Sequence, residues 1–134
     1  MKLSDLLKPL ALVSMAWSIF IVVGVVLNSS FSLTRAAGGQ FTQFPLGIRM
    51  TYLGTTVLLL LQAWTLIQIW GAKAVRPQWL PRFFLIMSGL SAVVNSLSKS
   101  HDERWNAIPA LITAWAFWVF APNKEGDSPD PRSR

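Results

Sequence analysis

SGLSAVVNSLSKSHDERWNAIP, residues Ser88–Pro109, joins two long apolar runs through a short polar turn. Ser88, Ser91, Asn95 and Ser98 recur at i, i+3, i+7 and i+10, so a helix carries them on one side. In water this would be a solvated stripe. Inside an apolar run it is expected to face other helices, because lipid cannot satisfy polar groups. Ser100 and Glu103 then form the S-x-x-E pattern of a capping box, directly ahead of the last apolar run. In that pattern Ser100 accepts from the Glu103 N–H, and the Glu103 carboxylate reaches back to the Ser100 N–H. Asp102 and Glu103 also lie at the positive end of the new helix, so capping accounts for both acids without catalysis. Arg104 and Trp105 are expected at the outer surface, with Arg104 reaching lipid phosphate or the long first loop.

Outward from this hairpin, the charges are sparse and clustered. Of 134 residues 52% are hydrophobic and 13% charged, against roughly 25% charged in a soluble domain. No charged residue occurs between Lys8 and Arg35, Arg49 and Lys73, Arg82 and Lys99, or Arg104 and Lys124. Each interval is long enough to carry a helix across a hydrocarbon core of ~30 Å. The expected fold is all-α: an integral membrane four-helix bundle, up-down-up-down, in the cell (inner) membrane. It forms one four-span membrane domain over residues 1–122, with spans near 10–28, 51–70, 81–98 and 101–121. A disordered polar tail is expected over 123–134. The first apolar run is too long for a signal-peptide h-region, and more spans follow. Pro9 suits a first helical turn, and Pro109 should kink the fourth span near Trp105. Residues 29–49 contain Gly38-Gly39 and Pro45 together with Phe31, Phe41 and Phe44. They read either as an ordinary loop or as a segment lying on the membrane or over the bundle.

Orientation follows from the basic residues. Lys2, Lys8, Lys73, Arg76, Arg82, Lys124, Arg132 and Arg134 fall on one side, and Arg35, Arg49, Lys99 and Arg104 on the other. Eight against four places both termini in the cytoplasm. Trp17, Trp64 and Trp115 lie deeper in their spans and are expected to pack against something.

The residues offer little chemistry. The net charge of +6 is scattered at span ends and forms no strip for nucleic acid. Cysteine is absent, which excludes disulfides and thiolate sites. No ionisable group lies in the middle of a span, which counts against ion-coupled transport. His101, Asp102 and Glu103 are adjacent and point in different directions on a helix, so no metal site is expected, and no motif implies a cofactor. The polar set Thr55, Gln62, Ser91, Asn95, Asn106 and Thr113 has two readings. Interhelical hydrogen bonds come first, at about 0.6 kcal/mol each. A polar-lined cavity is the functional alternative. The outer hairpin contributes Ser100, His101, Glu103, Arg104 and Trp105.

Asn95, Ser98, Ser100, Glu103-Arg104-Trp105 and Pro109 resemble a pattern of small bacterial four-helix integral membrane proteins. There, an Asn near the end of one span precedes Ser-x-Ser-x-x-Glu-Arg-Trp and a Pro in the next. The resemblance covers the hairpin alone. It implies four helices and a bacterial membrane, and carries no activity with it. The expected role is non-catalytic: an accessory or scaffold subunit, or a self-associating bundle, with the lipid bilayer and another membrane protein or a second copy as partners. The alternative is a binder or carrier of a small apolar molecule or lipid. A scaffold should have a closed interior and a small-residue face turned outward. A binder should enclose a pocket open to lipid or to the outer surface.

Overall fold

The computed structural model describes residues 2–121. Residues 1 and 122, and the tail expected over 123–134, lie outside the described residues. The described chain is all-α, with no strand. Its helices are α1 (Leu3–Val26), α2 (Ser30–Leu33), α3 (Leu46–Trp70), α4 (Leu80–Ser96), α5 (His101–Arg104) and α6 (Ala107–Phe120), with a 3₁₀ turn at Ala37–Gly39. α1 and α3 have 24 and 25 residues, hence about 36–38 Å of length. Both are long and apolar enough to cross a membrane, and α4 is a shorter apolar helix.

The ends of the helices follow local chemistry and move several expected boundaries. α1 begins at Leu3, so Pro9 is interior rather than in the first turn. The carbonyl of Asp5 thereby loses its usual donor. α1 ends where Asn28 takes φ 57°, a left-handed conformation that asparagine tolerates better than most residues. The Ser29 N–H closes the turn on the Gly24 carbonyl at 2.7 Å, and Asn28 Oδ1 accepts from the Phe44 N–H at 2.8 Å. α3 starts directly after Pro45, five residues before the expected span. Pro81 occupies the first turn of α4, where its missing N–H costs nothing. The expected fourth span is two helices. Pro109 cannot donate to the Trp105 carbonyl and its ring crowds that group, so the chain turns at Trp105–Asn106 between α5 and α6.

Two apolar clusters sit at opposite ends of the helix assembly. One joins Leu7, Ala11 and Met15 of α1, Leu66 of α3, Leu80 and Phe84 of α4, and Ala116 and Phe117 of α6. The other joins Ile21 and Val25 of α1 to Ala36 and Phe44 of the first connection, with Tyr52 beside them. The start of α1 therefore meets the end of α3, and the start of α4 meets the end of α6, so successive long helices run in opposite directions. α1 packs on α3 and α6, and α4 packs on α6, while α3 and α4 touch little.

Residues 29–49 fold over the helix ends. Ser32 is fully buried and its hydroxyl donates to the Ile21 carbonyl at 3.0 Å. Arg49 Nε donates to the Val26 carbonyl at 2.7 Å, and the Ala37 N–H donates to the Tyr52 hydroxyl at 3.1 Å. The outer surface is apolar on every long helix. Val13, Val57, Ile86, Leu97, Leu111 and Trp118 are all exposed, as are Trp17, Trp64 and Trp115. Trp17, expected to pack against something, does so on Phe20 and Phe31. Small residues, among them Ala11, Ala92, Ala110 and Ala116, are buried.

Gly24 tests this account of the first connection. A Cβ there would collide with the Ser32 hydroxyl and approach the Ser32 Cβ to 3.2 Å. Alanine in a helix interior ordinarily gains roughly 0.5–1 kcal/mol over glycine. Overpacking costs about 1–3 kcal/mol, so Gly24→Ala is expected to lower thermal stability in detergent. Ser32→Ala removes the colliding oxygen, and the double variant should recover much of that loss. Additive losses would show that the loop does not pack on α1 at Gly24.

Candidate functional site

Between the two apolar clusters the long helices leave a cavity of about 380 Å³. Small-molecule sites run from about 300 to 1,000 Å³. Thr55, Gln62, Ser91, Asn95, Asn106 and Thr113 all border it, from α3, α4 and the start of α6. Midway along, Gln62 Nε2 donates to Ser88 Oγ at 2.6 Å, and both side chains are buried. The bond links α3 to α4 where few other contacts do. Thr113 is also buried, but its hydroxyl is occupied by the Pro109 carbonyl at 2.9 Å. It therefore presents its methyl group as much as its oxygen. Thr55 likewise folds back, onto the Thr51 carbonyl at 3.2 Å.

The cavity is not sealed along the α3–α4 seam. Ser91 is exposed and Asn95 half-buried, although both were expected to be buried between helices. Asn95 Nδ2 donates to Ser91 Oγ at 3.2 Å along the same helix and bridges to no other helix. The physical reason is separation. α4 leans on α6, so its polar stripe meets a gap rather than a neighbour. The rim residues Leu58, Met87 and Val94 are exposed and apolar.

One end of the cavity is roofed by the first connection and the hairpin together. Four contacts join them. Asn106 Nδ2 donates to the Arg35 carbonyl at 2.8 Å. The Gly38 N–H donates to Glu103 Oε2 at 2.8 Å. The Ser100 hydroxyl donates to the Thr34 carbonyl. Arg35 Nη2 stands 4.0 Å from Asp102 Oδ2. Asn106 Oδ1 also accepts from Trp17 Nε1 at 3.0 Å, which ties the roof to α1. Gly38 and Gly39 have φ of 74° and 64°, which glycine adopts without steric cost. A Cβ on Gly39 would stand 2.9 Å from the Ser100 Cβ, so the two segments touch backbone to side chain.

One of the hairpin roles differs from expectation. Ser100 caps α5, accepting from the Glu103 N–H at 3.4 Å. The Glu103 carboxylate does not return to the Ser100 N–H. It accepts from Gly38 and from the Ser98 hydroxyl, and Ser98 Oγ in turn accepts from the Ser100 N–H at 3.1 Å. The capping box is thus completed through Ser98, which frees Glu103 for the loop. Arg104 is exposed and forms no hydrogen bond or ion pair with the first loop among the described residues. Its Nε donates to the Ser98 carbonyl at 2.7 Å, satisfying a backbone group left open past the end of α4. Trp105 is exposed and stacks edge-on with exposed His101, their ring centroids 6.4 Å apart. Among the described residues no three of His, Asp and Glu gather around a common point.

Trp17, Arg35, Gly38 and Tyr52 belong to the roof and were not expected as site residues from the sequence. Their partners are between 15 and 89 residues away. The adjacent glycines Gly38-Gly39 were the only local signal. No family model, curated protein or solved structure matches this chain.

Asn106 ties the first connection to α1 as well as to the hairpin. Removing it leaves the Trp17 Nε1 donor and the Arg35 carbonyl without these partners, at about 0.5–1.5 kcal/mol per bond. Asn106→Ala is expected to lower the melting temperature in detergent and to speed amide exchange across residues 34–39. Arg104→Ala, which removes one hydrogen bond at the surface, should cost only about 1 kcal/mol and leave exchange in that loop unchanged. If Asn106→Ala leaves exchange over 34–39 as it is in the wild type, the roof is not held as described.

Proposed function

We propose that this chain is a multi-pass protein of a bacterial cell membrane that binds one small apolar molecule or lipid chain in the cavity, without catalysing a reaction. In this reading the bundle has four membrane-spanning helices, with both termini cytoplasmic. The exposed apolar surface supports it. Leu60, Ile67, Ile86, Val93, Leu111 and Val119 face outward on three different helices. Patches of this extent are unfavourable in water and natural in lipid. The four charge-free intervals and the eight-to-four split of basic residues support the same orientation. α4 and α6 are short for a span, and the α5 turn and the roof fill the remaining depth at one end.

The binding reading is carried by one observation: the cavity is bordered by polar side chains and lies open along the α3–α4 seam, where lipid would enter. A scaffold with a closed interior would have α3 and α4 in contact there. Its polar and apolar walls suit an amphiphile rather than an ion. It holds no assembled set of acid, base and nucleophile that would point to catalysis.

A second reading, self-association or docking to another membrane protein, draws on a different face. Gly47, Thr51 and Gly54 are exposed along one side of α3, and a Cβ at Gly47 or Gly54 would meet nothing. Small residues spaced in this way let helices approach closely in lipid.

Two measurements test the proposal. Reporter fusions at Gly38 and after residue 121 should report opposite sides, with the C-terminal one cytoplasmic; a periplasmic C-terminus contradicts the topology. Native mass spectrometry of the protein in mild detergent should show one retained lipid or small amphiphile. Ser91→Trp, which fills the mouth of the cavity from an exposed position, should reduce that retention at least tenfold. Equal retention in the variant would contradict the cavity reading. Gly54→Leu should leave retention intact and, if the second reading holds, lower the dimer or complex fraction instead.

A further inference from the structure

The roofed end of the cavity differs in charge from the rest. Two charged residues border the cavity, Arg35 and Glu103. Arg35 is turned to other partners. Its Nη1 donates to the Phe31 carbonyl at 3.0 Å and to Thr34 Oγ1 at 3.3 Å. Its guanidinium lies 3.9 Å from the centre of the exposed Phe31 ring, and its other nitrogen faces Asp102. Glu103 has no such neutralising partner. Its two hydrogen bonds come from neutral donors, the Gly38 N–H and the Ser98 hydroxyl, and both fall on Oε2. Oε1 has no partner among the described residues. The cavity end therefore carries an uncompensated carboxylate, half-buried, near Tyr52.

Resting on the binding reading above, we propose that the occupant is a single-chain or compact amphiphile with a cationic amine headgroup, held with its ammonium at Glu103 and its apolar body between α3 and α4. The geometry follows from what each part can offer. A carboxylate in a partly desolvated wall attracts an opposite charge more strongly than it would in water. Tyr52 adds an aromatic face for a cation. Farther in, the walls become Leu59, Phe84 and Met15, with no charged group until the far apolar cluster. An anionic headgroup would meet Glu103 with like charge, because Arg35 is already engaged. The volume of about 380 Å³ falls at the small end of ligand sites, which fits one chain rather than a whole two-chain lipid. The open seam gives the chain its route in from the bilayer, and the roof keeps the headgroup near the surface.

The test uses the full chain in phosphatidylcholine vesicles with spin-labelled sixteen-carbon probes that differ only in headgroup: trimethylammonium, hydroxyl or carboxylate. The fraction of immobilised probe is read by electron paramagnetic resonance. The wild type is expected to hold the ammonium probe at least tenfold more tightly than the carboxylate probe, with the hydroxyl probe between them. Glu103→Gln keeps an acceptor for Gly38 and should abolish this preference while still holding the hydroxyl probe. Ser91→Trp should release all three. A wild type that holds the probes without ammonium preference overturns the headgroup assignment and leaves the cavity reading standing, as does a preference that survives Glu103→Gln. A wild type that immobilises no probe beyond Ser91→Trp overturns both. The wild-type comparison decides the headgroup question even if Glu103→Gln does not fold.

Discussion

The arrangement depends on a polar side chain at the place where the last helix is broken. Asn106 accepts from Trp17 on α1 and donates to the Arg35 carbonyl of the first connection. It stands in the turn that Pro109 imposes between α5 and α6. α5, before that turn, carries Glu103, and its cap Ser100 precedes it; these two meet Gly38 and Thr34 of the first connection. One end of the molecule is closed by these polar contacts and the other by interlocked apolar side chains. The space between them is what neither closure fills.

That division has an energetic logic. At the apolar end, Ala11 of α1 and Ala116 of α6 let the backbones approach, and Phe84 and Phe117 fill what remains, their centroids 5.8 Å apart. At the polar end, backbone groups of an irregular loop must find partners, and they do so on side chains of the hairpin. Midway, Gln62 and Ser88 supply a single buried polar link between α3 and α4. A single link of this kind is worth about 0.6 kcal/mol, too little to draw two helices together along their length. The seam stays open for that reason.

Much of the helical layout is legible in the sequence. Each of the four charge-free intervals holds most of one of α1, α3, α4 and α6, and the polar residues singled out on α3, α4 and the start of α6 all border one cavity. What the sequence left undetermined was lateral closure. A stripe such as Ser88, Ser91 and Asn95 says which side of a helix is polar, not whether a neighbour reaches it. Ser88 is met by Gln62, while Ser91 faces the gap. The roof was hidden for another reason. S-x-x-E is a local capping pattern, and local pattern alone sends the Glu103 carboxylate to Ser100. The Gly38 N–H, 65 residues earlier, competes for it and wins because Ser98 serves the Ser100 N–H instead.

The claim on which the cavity rests is that the first connection is fastened over the hairpin, and the Gly38 amide reports this directly. The chain has eight glycines, so selective ¹⁵N-glycine labelling gives a spectrum simple enough to assign by substitution. Hydrogen exchange at Gly38 can then be followed in detergent or nanodiscs. The account predicts strong protection of this amide in the wild type, although it lies in a loop, and loss of that protection in Glu103→Ala. Exchange of the wild-type Gly38 amide at the rate of a free loop would contradict the account.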